Sequence, residues 1–104
     1  MAPITRELVG SPVRQGVDEE IAYVIATPTG TAPSSVTVTV KDLSDDSAVV
    51  TSTVMPDGSA SVSTDNITLP VLKLLTTLHR YRVEPKFTSG SNVYEPYFIV
   101  IAEE

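Results

Sequence analysis

The stretch HRYRVEPKFTSGSNVYEPYFIVIA, residues 79–102, decides the fold of this chain. Its first half alternates apolar with charged side chains, its centre reads Ser89-Gly90-Ser91-Asn92, and its second half is more continuously apolar. Alternate residues of a strand point to opposite faces, so the stretch predicts a β-hairpin whose first strand is half-buried. The second strand has apolar groups on both faces. We therefore expect it to be covered on both sides or to contact another molecule.

The second strand of this hairpin offers two rows of side chains for the core. The rows are Tyr94, Pro96 and Phe98 on one face and Tyr97, Ile99 and Ile101 on the other. Length and continuity favour the second row for the core, which leaves Tyr94 and Phe98 facing out unless the pairing register is the reverse. Exposed aromatics mark interfaces, and packing under a loop of the same domain is the alternative. Pro96 lacks an N–H, so we expect an edge or a bulge there.

Composition and charge narrow the classes of function. A chain of 104 residues is long enough for one domain with a single core, and without cysteine it has neither disulfides nor a thiolate metal site. Abundant valine and threonine favour strands. The net charge of −6 repels a phosphate backbone, so we expect no direct nucleic-acid binding. Arg80, Arg82 and Lys86 come nearest to a basic cluster, and strand geometry predicts for them a solvated face that includes Glu84.

The N-terminal residues 1–10 predict a short strand or an arm that docks on a neighbouring chain, ahead of a single domain over residues 11–104. Ile4, Arg6 and Leu8 alternate with their neighbours, and Gly10-Ser11-Pro12 closes the segment. Arg6 lies where a signal peptide would be apolar, and no stretch approaches the roughly 20 apolar residues of a membrane helix. We expect a protein made and used without export.

Three further segments have the pattern of strands. Residues 17–26 alternate apolar with polar side chains, and residues 35–41 alternate valine with threonine and lysine. Residues 48–55 resume a strand, and the turn signal of Pro56-Asp57-Gly58 predicts that residues 59–62 pair back onto it. About seven short strands with regular turn signals predict an all-β, antiparallel β-sandwich.

The crossover before the closing hairpin allows two interpretations. Its leucines fit a helix over residues 71–78, which Pro70 could begin. We favour a strand near residues 67–69 and at most one short helical turn in the 70–78 crossover, with Leu75 and Leu78 under the sheet edge. The run from Leu75 to Val83 resembles the approach to the sixth strand of immunoglobulin and fibronectin III domains, which makes Tyr81 our candidate for the tyrosine whose hydroxyl bonds back to the crossover backbone.

Few residues could support catalysis or bind a metal. His79 is the only histidine, and the ordinary interpretation is a partly exposed loop residue, although triad partners can come from anywhere in a chain. Asp42, Asp45 and Asp46 could bind a hard cation such as calcium, and a solvated turn is the alternative. The sequence lacks a glycine pattern for phosphate. We expect neither an enzyme nor a cofactor.

The whole chain resembles the small virion proteins of tailed bacteriophages that sit at the neck or join the tail to its fibres. The resemblance lies in the order of ITRELVG, VDEEIAYVI, VTVTVKD, a hydrophobic crossover and the closing hairpin that ends in acidic residues. It implies a non-enzymatic structural protein, made in the host cytoplasm and located in the virion. Its expected partners are ring-forming copies of itself and portal, neck, tail or capsid proteins, with no membrane.

Under this hypothesis the contacts would be made by the N-terminal arm, through Ile4, Arg6 and Leu8, and by Tyr94, Pro96 and Phe98 of the last strand. A capsid decoration protein with the same fold is the first alternative. A fibronectin-type recognition module of a cellular protein is the second, although the starting methionine and the short C-terminal end argue against it.

Overall fold

The computed structural model describes residues 8, 11–27, 32–64 and 66–104, and most of its regular structure is β-strand. Its strands form two sheets whose inward side chains share one hydrophobic core. None of the helices in this part of the chain is long and apolar enough to cross a membrane. The elements are β1 (Val13–Gly16), β2 (Val24–Ala26), β3 (Ser34–Asp42), β4 (Ala48–Val49), α1 (Thr51–Val54), β5 (Ser61–Ser63), β6 (Asn66–Thr68), β7 (Arg80–Ser89), β8 (Asn92–Tyr94) and β9 (Phe98–Glu103).

The larger sheet is built around β7. Its strand order is β1-β9-β7-β3-β4, and β8 also pairs with β7. Along β7 the apolar side chains are buried, with Tyr81 2 % and Val83 0 % exposed, while the charged residues between them lie nearer to solvent. β3 pairs antiparallel with β7 and points Val40 into the same core. The alternation predicted for both strands is confirmed.

The closing hairpin keeps one register from its turn to the end of the chain. Ser89 lies opposite Asn92 beside the turn, and Val83 lies opposite Phe98 farther along. This register puts Pro85 opposite Pro96, and because neither proline has an N–H, the ladder is interrupted between β8 and β9. The sequence predicted an edge or a bulge at Pro96. The register shows no bulge there; β8 pairs on one side only among the described residues, whereas β9 pairs on both.

The register reverses the two rows of the last strand. Phe98 is 5 % exposed and Val100 0 %, and both face the core beside the inward residues of β7. The prediction that Phe98 faces out, and that Ile99 and Ile101 fill the core, is therefore wrong. Ile99 is nevertheless 8 % exposed, because neighbouring side chains cover it on the other face of the sheet.

β1 pairs parallel with β9, with Val13 opposite Val100 and Gly16 opposite Glu103. The turn signal at residues 10–12 indicated a break, but a strand begins directly after it. The strand predicted over residues 17–26 is shorter in the structure, where only β2 forms a ladder and Ile21 makes an isolated bridge to Leu72. The predicted alternation of burial persists over residues 21–26.

The smaller sheet has the order β2-β6-β5. The hairpin predicted between residues 48–55 and 59–62 is wrong. β4 pairs instead with the end of β3, with Val49 opposite Lys41. The chain then forms the single helical turn α1, which buries Val54, and it reaches the other sheet as β5, which pairs with β6.

The crossover over residues 70–78 contains no helix, which agrees with the expectation of at most one short helical turn and not with a helix over residues 71–78. Leu75 is buried as expected, whereas Leu78 is 80 % exposed. Leu74 and Leu78 have φ angles of 60° and 69°, which no continuous right-handed helix accommodates. The Tyr81 hydroxyl accepts a hydrogen bond of 2.8 Å from the Thr76 N–H, which confirms the predicted bond back to the crossover backbone.

Candidate interaction surface

A buried glutamine joins β1 to the segment that faces it from the smaller sheet. Gln15 is 0 % exposed, and its Nε2 donates to the carbonyl oxygens of Leu72, at 2.8 Å, and Glu19, at 3.0 Å. Its Oε1 accepts from the Tyr23 hydroxyl at 2.8 Å. Both amide hydrogens and the amide oxygen are thus bonded, as burial of a polar group requires. Sequence analysis did not identify this residue, because nothing in its local sequence distinguishes it from a solvated strand glutamine.

The tyrosine of this cluster is electrostatically coupled to its neighbours. Burial raises the pKa of Tyr23 above its ordinary value of 10.0, and the negative charge of Glu19 raises it further. The Glu19 carboxylate also accepts a 2.7 Å hydrogen bond from the Gly16 N–H. Tyr23 therefore stays protonated through neutral pH and keeps donating to Gln15.

His79 lies at one end of the larger sheet and contacts Asp42. Its Nδ1 is 2.8 Å from Asp42 Oδ2, and the other carboxylate oxygen accepts from the Ser44 N–H at 3.0 Å. The Asp42 side chain is 8 % exposed, whereas Asp45 and Asp46 are exposed in the turn that follows. Within the described residues, no three acidic, histidine or cysteine side chains group as a metal site requires. The three aspartates are therefore not brought together.

The N-terminal segment meets the last hairpin at Leu8. Its N–H donates a 2.8 Å hydrogen bond to the Tyr97 carbonyl, and its side chain packs against the core. Ile4 and Arg6, the other predicted arm contacts, lie outside the described residues. Leu8 itself therefore lies beside the junction of β8 and β9.

The predicted interface residues of the last hairpin have different environments. Tyr94 is half-buried, and its ring centroid lies 5.6 Å from that of Phe87 on the core side. Pro96 is also half-buried. Phe98 is in the core, 5.2 Å from the Tyr23 ring, and borders a small cleft with Leu8 and Val13. Phe98 therefore cannot form part of an interaction surface. Tyr94 of β8 and Pro96 are accessible to a neighbouring chain.

The outer face of the larger sheet, meaning the side chains of its strands that point away from the core, is basic. The pairing registers place five of the seven basic residues of the chain on it. They are Arg14, Lys41, Arg80, Arg82 and Lys86. The sequence analysis identified three of them as a solvated row. It missed Arg14 and Lys41 because only the pairing of distant strands brings them beside that row.

Two carboxylates of the outer face pair with its cations, and the register places a third, Glu95, opposite Lys86. Glu84 contacts Arg82 at 3.0 Å, and Glu103 contacts Arg14 at 3.4 Å. The guanidinium of Arg82 also stacks on the Tyr97 ring, 3.9 Å from its centroid. The face combines basic side chains with a covered aromatic ring, within a chain whose net charge is −6.

Comparison of this chain with protein-family models, with curated proteins and with solved structures finds no match.

Proposed function

We propose that this chain is a structural protein that acts through protein–protein contacts in a symmetric assembly. The observation that carries the proposal is the hydrogen bond from the Leu8 N–H to the Tyr97 carbonyl. It puts Leu8 close to β8, which among the described residues pairs on one side only, with β7. A strand edge of this kind is a common site of strand addition between chains, and the sequence predicts that residues 1–10 form a short strand or an arm.

The architecture that we propose is an immunoglobulin-like β-sandwich. In that architecture one sheet carries the second, fifth and fourth strands in that order, and the other carries the third, sixth and seventh. If the short strands β4 and β8 are left out of the count, β2, β6 and β5 are the second, fifth and fourth strands, and β3, β7 and β9 are the third, sixth and seventh. Two features support this architecture: these strand orders, and the hydrogen bond from the Thr76 N–H to the Tyr81 hydroxyl, which resembles that of a tyrosine corner. Domains of this kind serve many functions, so the architecture supports the proposal only in combination with the edge.

The setting that we propose is the virion of a tailed bacteriophage, where the chain would be an adaptor at the neck or tail. The support is the resemblance in the order of sequence features. The N-terminal segment, with Ile4 and Arg6, and the edge near Tyr94 and Pro96 would contact neighbouring chains. Phe98 leaves this set because it is in the core.

Quantitative mass spectrometry of purified particles tests the setting. The source is the phage, or the cell carrying a prophage, that encodes the chain. We expect about six or twelve copies per particle, the numbers that rings at a neck or tail provide. Hundreds of copies would indicate a capsid decoration protein instead. Absence from the particles would contradict a virion function.

A matched pair of variants tests the contact itself. In the strand or arm that the sequence predicts, Ile4→Asp would put a charge on the same face as Leu8, and Thr5→Asp would put the same charge on the opposite face. We expect the first variant to be lost from particles and the second to be incorporated. Equal incorporation of both variants would contradict a contact through this face.

A further inference from the structure

We propose that a second copy of this chain docks on the outer face of the larger sheet, presenting its acidic end to the basic residues there. The inference rests on the proposed function and names one partner in the assembly. The acidic end is the end of the larger sheet that carries the exposed residues Asp18, Glu19, Glu20, Asp45, Asp46 and Glu104.

The outer face has cations available for a partner. Within the described residues, Lys41, Arg80 and Lys86 have no ion-pair partner, whereas the outward carboxylates Glu84 and Glu103 pair with Arg82 and Arg14. With Glu95 opposite Lys86, the face carries five basic and three acidic side chains, an excess of two positive charges. Lys73, which is not on this face, pairs with Asp57 and with Glu20 of the acidic end. The unneutralised positive charge of the described residues is thus concentrated on this one face.

Apolar side chains accompany these cations. Val49 is 65 % and Val93 58 % exposed, and both lie on the outer face, opposite Lys41 and Thr88. Ile101 lies half-buried between Arg14 and Arg80. A contact surface with apolar groups among charged ones has the composition of a protein interface.

The pairing registers place the acidic residues at one end. β1, β3 and β9 finish there and β7 begins there, since Asp42 is opposite Tyr81 and Gly16 is opposite Glu103. Leu43, 37 % exposed, and Leu78, 80 % exposed, border the same end. The end therefore offers carboxylates with apolar groups, which complements the outer face in charge and in character.

A contact between a face and an end is heterologous, because it joins two different surfaces of the same chain. Repetition of such a contact gives a closed ring or an open filament, and a ring is the arrangement that the proposed function requires. The net charge of −6 disfavours a nucleic-acid phosphate backbone as the occupant, whereas a second copy brings its carboxylates to the cations locally. A small, charged contact is weak in free solution.

Sedimentation velocity over a concentration series tests the docking. We expect the weight-average mass of the wild-type chain to rise with concentration at low salt and to return to that of the monomer at about 1 M salt, where charges are screened. Lys86→Glu removes a cation from the outer face and should weaken association at least about fivefold, about 1 kcal/mol. Ser61→Glu/Ser63→Glu makes the same change in net charge on the smaller sheet and serves as the control.

Mixing two variants tests whether the contact is heterologous. Asp45→Lys alters the acidic end and leaves the outer face intact, so each variant alone should associate weakly. An equimolar mixture of Asp45→Lys and Lys86→Glu should recover dimers, because one intact face meets one intact end. Association of Asp45→Lys at the wild-type strength would overturn the face-to-end contact, and circular dichroism would establish that each variant is folded.

The inference can fail separately from the proposed function. A wild-type chain that stays monomeric at every salt and protein concentration overturns the docking of a second copy, and so does a control that weakens association as much as Lys86→Glu. Neither result changes the copy number counted in particles. If the chain is present in particles at ring stoichiometry but the isolated chain does not self-associate, the adaptor function would still stand and the face-to-end contact would be wrong.

Discussion

Gln15 and Tyr81 are both buried polar side chains, and the comparison between them shows two ways of fixing one core. Tyr81 bonds to Thr76, five residues earlier, through its hydroxyl group. Gln15 bonds to Leu72, 57 residues away, and also to Glu19 and Tyr23. The first interaction fixes a local crossover, whereas the second joins distant segments. A long-range hydrogen bond is not visible in a local sequence pattern. Gln15 nevertheless makes three hydrogen bonds, and the Tyr81 hydroxyl makes one with Thr76.

Replacement of Gln15 should have the largest effect on stability. Gln15→Leu replaces the amide with an apolar side chain of similar size and leaves the Leu72 and Glu19 carbonyl groups and the Tyr23 hydroxyl without their partner. We expect the free energy of unfolding to fall by about 3 kcal/mol, measured by urea denaturation. The neighbouring Arg14→Leu, at an exposed position, should change it by less than about 0.5 kcal/mol. Equal effects of the two variants would contradict the importance of the buried amide.

Removal of the Tyr81 hydroxyl should have a smaller effect. Tyr81→Phe keeps the buried ring and leaves only the Thr76 N–H unsatisfied, so the free energy of unfolding should fall by about 1–2 kcal/mol. Tyr94→Phe is the matched control, since its hydroxyl accepts only an exposed 3.3 Å bond from Asn92. The double variant with Gln15→Leu should be additive within about 0.5 kcal/mol. A clearly non-additive loss of stability in the double variant would show that the hydrogen bonds of Gln15 and of Tyr81 depend on each other.

Leu78 should respond in the opposite direction. A φ of 69° is a left-handed conformation that destabilises leucine by about 1 kcal/mol and does not strain glycine. The Leu78 side chain is also 80 % exposed, so its removal loses little packing. Leu78→Gly should therefore raise the thermal midpoint slightly while it weakens self-association at the acidic end. Leu75→Gly, at a buried position, should lower the midpoint. A destabilised Leu78→Gly would contradict the account of this crossover.

The smallest expected effect is a loss of folding stability at alkaline pH, caused by ionisation of Tyr23, which donates a hydrogen bond to Gln15. The folded state raises the pKa of Tyr23 above its value in the unfolded chain, so the resulting stability is fully present below pH 10 and is lost as pH rises through the folded pKa. The ionised hydroxyl also stops donating to Gln15. Tyr23→Phe should show less loss of stability between pH 9 and about pH 11 than the wild type. An identical pH profile for both proteins would contradict this coupling.

The predictable elements of the fold were those specified by neighbouring residues. The alternation of β3 and β7, the turn at Gly90 and the Tyr81 bond all depend on side chains within a few positions of one another. The parallel pairing of β1 with β9 joins residues 87 positions apart, and a local turn signal concealed it. The basic face emerged only partly from the sequence for the same reason, because Arg14 and Lys41 come from other strands.

The reversed row of the last strand was a different kind of error. Both rows are apolar, so hydrophobicity could not decide between them, and the length and continuity of the rows favoured the wrong one. The turn specifies the correct row, because pairing Ser89 with Asn92 fixes Val83 opposite Phe98. A register counted from the turn specifies the face more strongly than the length and continuity of an apolar row.

The most direct test of the central claim, that this chain acts through contacts between copies, is isotope-resolved zero-length cross-linking. An equal mixture of light and heavy chains would be coupled between amines and carboxylates and analysed by mass spectrometry. The bond between Lys73 and Asp57 within one chain provides the internal control. We predict mixed-isotope pairs joining Lys41 or Lys86 to carboxylates of the acidic end. Mixed pairs that are absent, or that map elsewhere, while Lys73 and Asp57 couple efficiently would contradict the account.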